Sequence, residues 1–93
     1  MEKYAIVSGP EKDQLIEAFQ KGTKNDLYYF EFLVEVTGEP IAAKAKDLKL
    51  KTLTQKSKFL TVTGECKTSF SDSTRAFTAN YDSARHFGFL TLD

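Results

Sequence analysis

Leu27-Tyr28-Tyr29-Phe30-Glu31-Phe32-Leu33-Val34-Glu35-Val36 is the most aromatic and β-branched run of the chain. Period-2 alternation sorts it into two faces. Tyr28, Phe30, Phe32, Val34 and Val36 share one face, and Tyr29, Glu31, Leu33 and Glu35 share the other. A helix would scatter these acids and aromatics around its cylinder, and the composition favours a strand. The run reads as a central strand with one buried face and one mixed face.

On its N-terminal side, Tyr4-Ala5-Ile6-Val7 reads as a short first strand that suits a sheet edge. Ser8-Gly9-Pro10-Glu11 then opens a helix, with Ser8 as cap, Glu11 closing a capping box and Pro10 in the first turn. Leu15, Ile16 and Phe19, with Ala18 beside them, form its apolar stripe. Glu17 and Lys21 are spaced to pair, and Gly22 stops the helix. Thr23-Lys24-Asn25-Asp26 is a polar loop into the central strand.

On its C-terminal side, Thr37-Gly38-Glu39-Pro40 is a turn and Ile41 starts the return strand. A four-residue loop there sets Glu31 near Lys46 and Glu35 diagonal to Lys44. The alternation of residues 41–58 slips phase at Asp47, which predicts a bulge or a break. Phe59–Cys66 is a strand with Leu60, Val62 and Cys66 on one face and Phe59, Thr61, Thr63 and Glu65 on the other. Gly64 within it marks a kink or a close backbone approach. A Ser/Thr-rich loop over 67–74 leads to a strand with Phe77, Ala79 and Tyr81 in phase. Residues 82–85 turn the chain, and Phe87–Leu92 closes it.

The order is β-α-β-β-β-β-β, with connections short enough to force antiparallel neighbours. The fold class expected is α+β: one helix packed on a twisted antiparallel sheet of five to six strands. At 93 residues the chain is expected to form a single domain over 1–93. Cystatin-like and hot-dog architectures share this order of elements. Val34-Glu35-Val36-Thr37-Gly38 lacks the glutamine of the cystatin inhibitory loop, and no family is assigned.

Thirteen basic and thirteen acidic residues cancel, so no whole-molecule field draws the chain to nucleic acid or membrane. One cysteine, Cys66, leaves no partner for an internal disulfide, and with the many lysines it suits a reducing cytoplasm. The start of the chain does not read as a signal peptide, and no apolar run approaches the roughly 20 residues of a membrane span.

No catalytic set stands out. His86 is the only histidine, and its place beside a turn reads as a surface position rather than half of a nucleophilic pair with Cys66 or a serine. One His and one Cys are too few for zinc, and Asp72 and Asp82 are isolated in loops. Glu31 and Glu35 face lysines and read as an ion-pair ladder. The glycines are scattered singly and make no phosphate loop. No cofactor or metal is expected, and the chain is not read as an enzyme.

Two features remain. Residues 41–58 hold Lys44, Lys46, Lys49, Lys51, Lys56 and Lys58 against one acid, Asp47. Such a stripe either neutralises phosphates or keeps a wet sheet face soluble and blocks edge pairing. The other feature is the semi-apolar face of Tyr29, Leu33, Phe59 and Thr61, too apolar for open water and too polar for a core. The leading expectation is a non-enzymatic binding module, of the regulator or inhibitor kind found also on phages and plasmids. It would occupy a protein partner, or a second copy of itself, through Tyr29, Leu33, Phe59, Lys44 and Lys46. The alternatives are single-stranded nucleic acid on Lys49, Lys51, Lys56 and Lys58, with Tyr81, Phe59 or Phe70 stacking, and a small ligand between helix and sheet, lined by Phe19, Phe30 and Phe32.

Overall fold

The computed structural model describes residues 2–22 and 27–93, with Val36 described by its backbone alone. The polar loop expected over Thr23–Asp26, and the side chain of Val36 on the central strand, lie outside the described residues. The elements run β1 (Glu2–Ser8), α1 (Lys12–Lys21), β2 (Phe30–Val36), β3 (Glu39–Lys56), β4 (Phe59–Thr68), β5 (Ser71–Asp82) and β6 (Phe87–Leu92).

The order of elements is the one read from the sequence, but the architecture is not. The six strands form a closed antiparallel barrel, β1-β2-β3-β4-β5-β6, rather than an open sheet with a helix across it. β1 is no edge strand: it pairs with β2 on one side, through Ile6 opposite Phe32, and with β6 on the other, from Glu2 opposite Leu92 to Ile6 opposite Gly88. Closure leaves no unpaired strand edge to protect.

The 18-residue β3 makes closure possible. Its first part, Glu39–Ala45, pairs with β2, and its second part, Ala45–Lys56, pairs with β4. Between them the register shifts at Lys46/Lys49, where Asp47 has φ 54°, and again at Leu50/Thr52. The phase slip read at Asp47 is therefore a bulge, not a break. Bulges bend and twist a strand, and such a stagger is what a barrel requires.

A six-stranded barrel is narrow, so its interior is filled by alternating sizes. Phe30 stands opposite Ala45, Phe32 opposite Ala43, Phe77 opposite Gly64 and Tyr81 opposite Gly88. Each ring is thus paired across strands with a small residue. Phe30 packs edge-on to Tyr81 with ring centroids 5.2 Å apart. Leu60, Val62, Cys66, Leu90 and Leu92 pack into the same core, and all are buried.

Local details correct several expectations. Ser8 ends β1, and the helix cap is Glu11, whose N–H donates to the Gln14 side-chain oxygen at 2.8 Å. Glu17 and Lys21 pair at 3.1 Å, and Gly22 ends the helix at φ 65°. Leu15 and Ala18 are the buried helix residues, Phe19 is exposed, and the helix packs chiefly against β3. The β2–β3 turn holds two residues, Thr37 and Gly38, both with positive φ, as tight hairpins favour. The shorter loop moves the register by two, so Glu31 faces Lys44 and Glu35 faces Pro40. The expected 67–74 loop shrinks to Ser69-Phe70, because β4 runs to Thr68 and β5 starts at Ser71.

Candidate functional site

The residues singled out from the sequence fall on separate parts of the barrel. Tyr29 precedes β2, and Leu33 lies on its outer side opposite Ala42. Lys44 faces Glu31 and places its ammonium 4.6 Å from the centre of the Tyr29 ring. Phe59 is not with them: it opens β4 opposite Lys56, whereas Ala42 lies near the other end of β3. Lys46 faces Lys67, and Lys49 faces Glu65. Lys51 lies in the second register shift, Lys56 ends β3, and Lys58 lies in the turn just before Phe59. Tyr81 is fully buried and presents no ring to a partner. Phe30 and Phe32 are also fully buried while Phe19 is exposed, so these three do not line a common space. The lysines thus divide into a group partly matched by acids on β2 and β4 and a pair, Lys56 and Lys58, next to aromatic rings.

Phe59, singled out from the sequence, shares its surface with two rings that the sequence did not mark, Phe87 and Phe89. Five strands contribute one outward row in register: Ala5, Phe89, Asn80, Thr61 and Thr54. The neighbouring row is Lys3, Thr91, Thr78, Thr63 and Thr52, in which the Thr52 and Thr63 hydroxyls hydrogen-bond. On the opposite side of the first row stand Phe87, Phe59 and Lys56. Phe89 is 50% exposed and Phe87 39%, with Val7 also exposed nearby on β1. The Phe59 and Phe87 rings meet edge to face with centroids 6.4 Å apart.

The charge on this wall has one sign. The segments 3–7, 87–91, 78–80, 59–63 and 52–56 contain no Asp or Glu. The one acid beneath them, Asp82, is buried and accepts the Ala84 N–H at 3.1 Å. Lys3 holds its ammonium 4.5 Å from the Phe89 ring centre, and Lys58 lies 5.8 Å from that of Phe59. The pattern was visible in the alternation of Phe87-Gly88-Phe89-Leu90-Thr91-Leu92. Gly88, Leu90 and Leu92 face inward, which turns Phe87, Phe89 and Thr91 outward.

The rest of the surface offers less. An apolar groove of about 390 Å³ runs between Tyr4, Val34, Ile41, Ala42, Ala43 and Phe70. The charged groups at its end satisfy each other: Arg75 donates to Glu2 at 2.7 Å and to the Asp93 carbonyl at 2.8 Å, and the Tyr4 hydroxyl donates to Glu2 at 2.7 Å. The Arg75 and Tyr4 bonds hold the Glu2 carboxyl below the usual range. His86 sits 3.2 Å from Glu11 and links the β5–β6 turn to the helix start. Burial pushes the Cys66 thiol up to about 11, against the opposing pull of Arg75, so it stays protonated at neutral pH and is a poor nucleophile. Among the described residues no group of three or more His, Cys, Asp or Glu is placed to hold a metal ion, and no helix is long and apolar enough to cross a membrane.

No protein-family model, curated protein or solved structure matches this chain.

Proposed function

We propose that this protein is a non-enzymatic binding module of the cytoplasm, and that it acts by docking an anionic macromolecular surface on the β1-β6-β5-β4 wall. One observation carries the reading: Phe87 and Phe89 stand exposed, beside Phe59, on a wall whose solvent-facing charges are lysines. Aromatic side chains held in water on a rigid sheet are typical anchors for a partner. The lysines select the partner's sign. They also disfavour a homodimer through this wall, because Lys3, Lys56 and Lys58 would meet the same cations of a second copy. The single buried thiol fits a reducing compartment.

Retention on an immobilised anionic polysaccharide at low salt tests the reading. The unmodified protein should elute at higher salt than Phe89→Ser and than the Lys3→Gln/Lys58→Gln double variant. Elution of all three at one salt concentration would count against the wall.

A further inference from the structure

We infer that the anionic partner of this wall is single-stranded nucleic acid. The inference rests on the docking reading above and adds the chemistry of the partner. Single strands present two things together, a line of phosphates and a series of flat apolar base faces, and binders match them with cations and aromatic rings. The wall supplies both at close quarters. Phe87 and Phe89 are two residues apart on one strand and face the same way, which sets their Cα atoms about 7 Å apart. The Phe59 and Phe87 rings meet edge to face, and Phe89 stands two residues from Phe87 on the same side of β6, so the three rings share one outward surface.

The polar groups around these rings are those that contact phosphate and sugar without reading sequence. Lys3 sits over Phe89 and Lys58 over Phe59, so two of the three rings have a cation at hand for the phosphate beside a stacked base. Asn80, Thr61 and Thr54 continue the row from Phe89 across three strands and add neutral hydrogen-bonding groups. A phenyl ring carries no hydrogen-bonding atom, so stacking on it tolerates any base.

Two other anions fit less well. A duplex keeps its base faces inside the helical stack, where Phe87 and Phe89 would have nothing to cover. An acidic polypeptide would engage the lysines but leave three phenyl rings against carboxylates.

The test is an anisotropy titration of a labelled 12-nucleotide single strand of mixed sequence at low salt, with a duplex of equal length and poly-L-glutamate as competitors. Micromolar binding is expected, weakening with salt by roughly 0.7 log units in affinity per log unit of salt for each phosphate contact. Phe89→Ala should weaken it about tenfold. Lys3→Gln should flatten the salt dependence by about one contact. Because both side chains are exposed, unchanged melting temperatures will show that these variants fold. No binding of the single strand, or binding that Phe89→Ala leaves intact, overturns the inference. If poly-L-glutamate competes equally and depends equally on Phe89, the partner is an acidic polypeptide and the docking wall survives without nucleic acid. If neither anion engages the wall, the docking reading falls as well.

Discussion

Phe77 on β5 stands directly opposite Gly64 on β4, and its ring is buried in the barrel interior. Gly64 is also where β3 passes closest. A Cβ there would lie 2.1 Å from the Lys49 carbonyl oxygen and 3.0 Å from the Leu50 Cα. These are backbone atoms beside the bulge of β3, so they cannot swing aside.

Gly64→Ala is therefore expected to destabilise the barrel by about 3 kcal/mol, the upper part of the overpacking range. Gly22→Ala gives the contrast. Gly22 sits at φ 65° with nothing within 4 Å, so the cost is only that of a left-handed residue, about 1 kcal/mol. Urea unfolding of both variants measures the difference. Equal losses would mean that β3 does not press on Gly64.

Tyr81 allows an unusual expectation, a gain from removing a polar atom. Its hydroxyl is buried under Gly9 and has no hydrogen-bond partner among the described residues. Leaving such a group dry costs free energy, so Tyr81→Phe should stabilise the protein by about 1 kcal/mol. A loss of stability in the same unfolding experiment would show that the hydroxyl is bonded.

Alkaline pH should weaken the fold in a defined window. Burial pushes Cys66 from 9.0 up to about 11 and Tyr81 from 10.0 up to about 12. Below pH 9 both groups are protonated in folded and unfolded chains and add no pH dependence. Above it the unfolded chain ionises first, so stability is lost as pH rises towards 11 and 12. Melting temperatures between pH 8 and 12 follow this directly, and Cys66→Ala should delay the onset. The same burial shields the thiol, so an alkylating reagent should label Cys66 only on unfolding.

Acid acts through a different group. Arg75 and Tyr4 hold the Glu2 carboxyl below its ordinary range, so its contribution is present above that range and is lost as pH falls through the lowered value. Arg75 also binds the Asp93 carbonyl, which ties β1 and the residue that follows β6 to β5. Arg75→Gln should therefore lower the melting temperature at neutral pH and flatten its fall on acidification. A parallel pH curve for the variant would mean that the pair contributes nothing.

The strands themselves were legible because each buries one face, and burial writes a period of two into the sequence. Leu60, Val62 and Cys66, or Phe77, Ala79 and Tyr81, could be assigned inward by counting alone. The slip at Asp47 showed as a break in phase. Closure was not legible, because nothing local in Tyr4-Ala5-Ile6-Val7 says that Ala5 will meet Phe89 at the far end of the chain. The β2–β3 register turned on whether Glu39 and Pro40 belong to the loop or to the strand, and two positive-φ residues at Thr37 and Gly38 settle it. The grouping of Phe59 with Phe87 and Phe89 was missed for the same reason as closure. Phe59, Phe87 and Phe89 come together only when β4, β5, β6 and β1 lie side by side.

The most direct measurement is a backbone amide shift map of the labelled protein titrated with the single-stranded oligonucleotide. The expected shifts concentrate at Ala5, Asn80, Thr61, Phe87 and Phe89 and spare Glu31, Leu33 and Lys44. Shifts centred on Lys44 and Lys46 instead would contradict the assignment of the β1-β6-β5-β4 wall as the functional surface, and none at low salt would contradict nucleic acid as its partner.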